Sequence, residues 1–232
     1  MNQEELNEVL EKHKHWLEED CKDWGVMRAD FSFKDLSGVD FSGADLRFAN
    51  FRNSNIKGVD FTDARLYEAN FKEVSLSGVN FKGANLENAN LSYANLNDVI
   101  LEDTNLKDTD LRYTNLKELN LQGASLQGAN LSSANLEHTY LAGVDLKGVN
   151  LSGSNMQEAN LIMSNLEEAN IENANLSGAD LESANLRGAN LTGAILENTN
   201  FMFANLSEAS LVNAKLNGVN LKNADTTNTV FK

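Results

Sequence analysis

From Phe31 to Leu221 every fifth residue is Leu, Phe, Ile or Met, thirty-nine positions in one unbroken register. A period of five fits neither an α-helix, which repeats at about 3.6, nor a long strand, which repeats at two. On a helix these residues would wind around every side. On a strand every second one would face water. The spacing suits a short extended piece followed by a corner, repeated along one solenoid.

The other four phases agree. Two residues before each central apolar residue the side chain is Ala, Val, Thr or Ser, except at Lys34 and Leu119. In an extended piece, residues two apart face the same way, so this small residue points inward with the centre. The residue just before the centre is Asp or Asn at 31 of the 39 units, and the two that follow are mostly polar. Fourteen of the fifteen glycines, Gly25 being the exception, sit two residues after a centre. Glycine confined to one phase marks a backbone site that favours positive φ, as in a type II turn. Asn and Asp before the centre can bond nearby backbone groups and secure the bend. The chain has no proline, which suits a backbone that needs its N–H groups for a ladder.

Phenylalanine sets the number of sides. Phe31, Phe41, Phe51, Phe61, Phe71 and Phe81 recur every ten residues. Four units per coil place them in two columns on opposite sides, whereas three would scatter them. Tyr93 and Tyr113, twenty apart at equivalent outward positions, fit the same coil. The expected architecture is an all-β solenoid, a quadrilateral parallel β-helix of about ten 20-residue coils, roughly 47 Å long at a strand spacing of ~4.8 Å.

The unit small–Asn/Asp–Leu–polar–polar, as in Ala-Asn-Leu-Ser-Ser at 129–133, resembles the repeat A(D/N)LXX of the pentapeptide-repeat family. The resemblance covers about residues 29–225. It implies a right-handed helix, the handedness coming from the family alone. The string LEKHKHWL at 10–17 resembles segments that precede the repeats in many members.

Residues 1–28 read as an N-terminal α-helical cap. Leu6, Val9, Leu10, His13, Leu17 and Trp24 share one helical stripe, with Trp16 and Cys21 at its edges. Asn2 with Glu5 resembles a capping box, and Gly25 suits a helix stop. Such a helix would cover Phe31 and Leu36, because the first coil of a solenoid exposes apolar interior and strand edges. The tail 226–232 leaves two readings. It folds over the last coil, or two copies meet there in a homodimer through the C-terminal end.

Little in the sequence suggests chemistry. His13, His15 and Cys21 read as cap residues rather than a nucleophile with its base, and they lack metal-ligand spacing. His138 reads as a solvated turn residue. Acidic groups at Asp98, Glu102, Asp103, Glu167 and Glu168 would need a cleft to act as acid and base, and a convex rod offers none. The glycines form no phosphate loop. No catalytic residue, cofactor or metal is expected, so the chain reads as no enzyme. A net charge of −15 excludes direct nucleic-acid binding. The N-terminus shows neither the basic nor the apolar region of a secretory signal, no run spans a membrane, and one cysteine forms no internal disulfide; a cytoplasmic location is inferred.

Outward apolar residues break this polar pattern. Tyr93 with Tyr113, and Met163 with Phe203, fall on common sides and, with the acidic groups above, define a candidate partner-binding surface. The functional reading is a rigid, acidic, non-enzymatic scaffold for an unknown protein partner. The alternative is a DNA-mimicking binder of DNA gyrase, because some members of the resembled family that protect against quinolones present an acidic rod to that enzyme. Interspersed Arg52, Lys72, Lys82, Lys107, Arg112 and Lys117 dilute a duplex-like potential.

The inside and outside assignments predict opposite fates for two lysines. Leu126→Lys should bury an unpaired ammonium and forfeit a core side chain worth ~1.5–3 kcal/mol. Ser132→Lys, outward in the next unit, should be nearly neutral. Thermal melts of the two variants separate these outcomes, and equal melting points would contradict the assignment.

Overall fold

In the computed structural model, which describes residues 1, 3–18 and 28–232, the unit 129–133 shows how the chain turns. The Ala129 N–H donates to the Leu126 carbonyl at 3.0 Å and closes the preceding corner. Asn130 donates down to Thr109 at 2.9 Å, while Leu131 and Ser133 donate up to Asn150 at 2.7 Å and Ser152 at 2.9 Å. The fifth N–H, on Ser132, donates to the side-chain Oδ1 of Asn130 at 3.1 Å. All five backbone donors of the unit therefore have partners.

The same scheme repeats along the chain. Nearly every residue before a centre pairs in parallel with the residue twenty further on, as in Asn90 with Asp110 and Asp110 with Asn130. Four units thus make one coil, and the sides are named here by their first centres: Phe31, Leu36, Phe41 and Leu46. Extended pieces are so short that each contributes a single bridging residue. The second residue after each centre has positive φ, whether glycine (Gly143, 70°) or not (Ser133, 59°). Because the centre's carbonyl bonds the N–H three residues on, the corners have the form of type II turns.

The interior is a column of centres. Those from Phe31 to Leu211 are buried, and the small residues beside them are mostly buried too. Phe31, Phe51 and Phe71 stack at 5.1 and 4.6 Å on one side. Phe41, Phe61 and Phe81 stack at 5.4 and 5.1 Å on the opposite side. The columns meet edge to face, as in Phe51 with Phe61 at 5.4 Å. Inward hydroxyls are satisfied by backbone: Thr104 donates to Phe81 O and Thr139 to Leu116 O, each at 2.9 Å. On the outside, Asn side chains form vertical ladders, as in Asn205 to Asn185 to Asn165 at 3.2 and 3.1 Å.

The helix α1, Gln3–Glu18, covers the first coils. Leu6 and His13 are buried, and Val9 and Leu10 are partly covered against the core. Trp16 packs edge to face on Phe48 at 5.4 Å, so the helix grips an outer corner as well as the open end. His13 Nδ1 accepts the Ala29 N–H at 3.0 Å. The expected roles of Asn2, Cys21, Trp24 and Gly25 lie outside the described residues. At the other end the winding runs on past 225, since Val230 pairs in parallel with Ser210. Thr226 and Phe231 are exposed there.

Burial holds the His13 imidazole below its usual 6.5, with the nearby Asp45 charge opposing. The folded state thus favours the neutral ring, which is also the form that accepts from Ala29. A depressed value means this contribution is complete above pH ~6.5 and lost as pH falls through the folded value. The melting point should therefore drop on acidification from pH 7.5 to 5.5 more in the native chain than in His13→Asn, which offers an untitratable acceptor. Identical slopes by thermal melting would refute this role.

Candidate functional site

The candidate residues sit on different sides of the rod. Tyr93 and Tyr113 follow centres on the Phe31 side. Their rings stack at 4.7 Å with 12° between planes, and Lys72 Nζ lies 5.9 Å over the Tyr93 ring. Arg112 sits beside them, bonded to the Asp110 carboxylate at 2.7 Å, and this bond pushes the guanidinium value up. Half of each tyrosine remains exposed. The sequence identified the two rings; their flanking cations followed only from the coil spacing, in which Lys72, Arg112 and the rings share neighbouring columns.

Asp98 lies at a corner of the Leu36 side, Glu102 and Asp103 on the Phe41 side, and Glu167 and Glu168 on the Leu46 side. The structure does not gather these carboxylates into one site. Glu167 is held between Lys147 at 3.3 Å and Arg187 at 3.5 Å, and Arg187 continues to Glu208 at 3.1 Å. Glu168 is exposed. Among the described residues no group of three or more His, Cys, Asp or Glu side chains is placed to hold a metal ion. His13 is consumed by the cap, and His15 is exposed on it.

Asp98, Glu102 and Asp103 border a fault in the ladder. Leu119 occupies an inward position that, Lys34 apart, takes a small residue elsewhere in the repeats, and it is only half-buried. Among the described residues no bridge joins Ile100 to Asn120, and the N–H groups of Leu96, Asp98, Leu101 and Asp103 make no bond to the next coil. Two shallow hollows of about 430 and 440 Å³ open here. One is lined by Asp98, Lys117, Glu118 and Leu119, the other by Glu102, Asp103, Asn120 and Gly123. A third hollow, about 490 Å³, lies between α1 and the first coils, lined by Leu10, Leu17, Asp45, Arg47 and Arg65 among others. The misfit of Leu119 was visible in the sequence; the gap in the ladder beside it was not.

Met163 and Phe203 share one corner of the Phe41 side, with Ser183 between them. Both have left-handed backbone, φ 56° and 59°. Tyr140 and Ile100, which replace Asn or Asp on this side, are also exposed.

A single square solenoid of five-residue units, capped by one helix, defines a class of repeat protein. The family description for a pentapeptide repeat region matches residues 75–151, and that for pentapeptide repeats in eight copies matches 27–63, 164–202, 184–223 and 204–232. The chain therefore belongs to the pentapeptide-repeat family and is a right-handed quadrilateral β-helix. Among solved structures it is similar to HetL, a pentapeptide-repeat protein involved in heterocyst differentiation regulation from the cyanobacterium Nostoc. Identity is 32%, 85% of each chain is covered, and the TM-score is 0.28. It is similar to Rfr23 of the cyanobacterium Cyanothece at 30% identity, covering 65% of this chain and 89% of that one, with a TM-score of 0.35. For full-length QnrB1, a plasmid-mediated fluoroquinolone resistance protein, identity is 18%, coverage 88% and 94%, and TM-score 0.37. No curated protein matches the chain. No helix among the described residues is long and apolar enough to cross a membrane.

The corner beside the fault predicts a ranking of glycine substitutions. At both Gly123 (φ 77°) and Gly143 (φ 70°) an L side chain meets left-handed strain of ~1–2 kcal/mol. A Cβ on Gly123 would also collide with the Asp103 carboxylate, whereas the space at Gly143 is open. Gly123→Ala should melt below Gly143→Ala, and Asp103→Gly should close the gap. Thermal melts of the three variants check the order.

Proposed function

We propose that this chain is a non-enzymatic, rigid, acidic scaffold that binds a protein partner on its sides. The observation that carries this reading is the absence, among the described residues, of any convergence of reactive groups. The carboxylates lie on separate sides, the hollows are shallow, and the inward hydroxyls are bonded to backbone. What the sides do present are exposed aromatic and methionine side chains on a backbone tied by a repeating ladder. Such rigid apolar anchors suit protein recognition, where aromatic and Met residues are enriched at contact cores. A reducing compartment such as the cytoplasm suits a chain with one cysteine.

The acidity supports a second reading, mimicry of DNA toward DNA gyrase. Magnitudes weigh against it. A net −15 over a rod of roughly 47 Å is about one charge per 3 Å, against one per ~1.7 Å in duplex DNA. Files of ion pairs such as Lys147–Glu167–Arg187–Glu208 further flatten the potential. Pairing of two copies through the C-terminal coil is compatible with either reading and is read out by sedimentation.

One experiment separates the readings. Purified protein at micromolar concentration is added to a gyrase supercoiling assay, and the intact rod is used to capture partners from its native host. The scaffold reading expects undisturbed supercoiling and one protein retained by the folded rod but not by the unfolded chain. Inhibition of supercoiling with measurable gyrase binding would replace it by the second reading.

A further inference from the structure

The corner carrying Met163 and Phe203 is shaped like a notch. The Met163 N–H donates to Glu182 O and the Ser183 N–H to Met202 O, both at 2.9 Å, which holds three successive coils in vertical register. At ~4.8 Å per coil, Met163 and Phe203 stand about 9.6 Å apart, room for one further side chain between them. Ser183 forms the floor. Glu182 lies beside the notch, between the partly covered Ile162 and Met202 of the adjoining file. The walls are open to solvent, Met163 at 70% and Phe203 at 53%.

Charge says what fits. Glu182 makes no ion pair among the described residues, whereas the cations of the neighbouring side, Lys147 and Arg187, are tied to Glu167 and Glu208. Asp180, next to the notch, already accepts from Asn200 and from the Glu182 N–H. The files at 162–202 and 163–203 contain no Lys or Arg; Lys222 lies one coil further on. Apolar walls beside a free carboxylate match a side chain with an apolar stem and a cationic head. Arginine fits best, because its planar guanidinium can lie on the Phe203 ring while bonding Glu182. A second copy, itself at −15, is disfavoured by charge, and an acidic lipid surface likewise.

We propose that the notch between Met163 and Phe203 docks an arginine of a basic, apolar segment of a protein partner, with Glu182 as its counter-charge. The proposal rests on the scaffold reading and specifies its surface. The left-handed backbone under both walls makes a clean test available, because glycine relieves that strain while removing the wall.

The full chain, labelled with ¹³C at the methionine methyls, is titrated with a twelve-residue peptide of Arg-Leu-Ser repeats. Controls are an Arg-Gly-Ser peptide of equal charge, a Glu-Leu-Ser peptide, anionic vesicles and simple dilution. The expected result is saturable shifts of Met163 and Met202 with the Arg-Leu-Ser peptide, while the buried Met156 stays still. Phe203→Gly should melt no lower than the native chain yet bind about tenfold more weakly, and Glu182→Gln should also lose affinity. Equal shifts with the Arg-Gly-Ser or Glu-Leu-Ser peptide, shifts on dilution or with vesicles, or full binding by Phe203→Gly would each overturn the proposal. A captured host partner that binds the Phe203→Gly rod undiminished would refute the notch and leave the scaffold reading standing.

Discussion

Everything in this rod depends on where each backbone N–H finds its acceptor. Four of the five in a unit bond to backbone, two upward, one downward and one across the corner. The fifth takes the side chain of the Asn or Asp two residues earlier, as Ser132 does from Asn130. Leaving a buried donor unmet costs about 1–3 kcal/mol, and one such loss per unit would exceed a typical net stability of ~5–15 kcal/mol many times over. The fifth N–H belongs to an outward residue, so water can replace the side chain. That is why Arg65, Ile100, Tyr140 and Ile195 are tolerated in place of Asn or Asp. Proline would delete a rung or a corner at almost every phase, and the chain has none.

The same repetition made much of the fold legible from residues alone. The unbroken phase of Phe31 to Leu221 revealed inside and outside, and the ten-residue phenylalanine rhythm revealed four sides, now seen as two stacked columns. Less legible were features set by contact rather than phase. α1 grips Phe48 through Trp16 and ties Ala29 through His13, contacts that cross from a helix to a solenoid and follow no shared period. Leu119 was visible as a misfit, but the missing bridge between Ile100 and Asn120 beside it follows no phase of the repeat. The candidate carboxylates read as neighbours in sequence, yet Glu167 and Glu168 differ in kind: one is locked into a file of ion pairs and the other is exposed.

A fold specified by backbone rungs and an inward column leaves its outward positions nearly free. Substitution there changes the surface without moving the frame, which explains how one architecture carries serine, lysine, glutamate and tyrosine in the same file. The consequence for function is that the informative residues are those that the frame does not ask for. Exposed acidic groups on a strongly acidic rod meet no such standard, since many are balanced locally by Arg or Lys one coil away.

Bulky apolar side chains on left-handed backbone do meet it, because they carry a local cost of roughly 1–2 kcal/mol where glycine would carry none. Phe48 offsets that cost by packing under Trp16 and against Tyr67 at 5.6 Å. Tyr93 and Tyr113 offset it by stacking on each other. Met163 and Phe203 have no comparable ring partner among the described residues; Met163 remains largely exposed and Phe203 about half. Among the described residues no ring contact offsets their strain, and it is on this that the proposed notch draws. On the scaffold reading proposed above, recognition falls where the surface departs from what the fold alone requires.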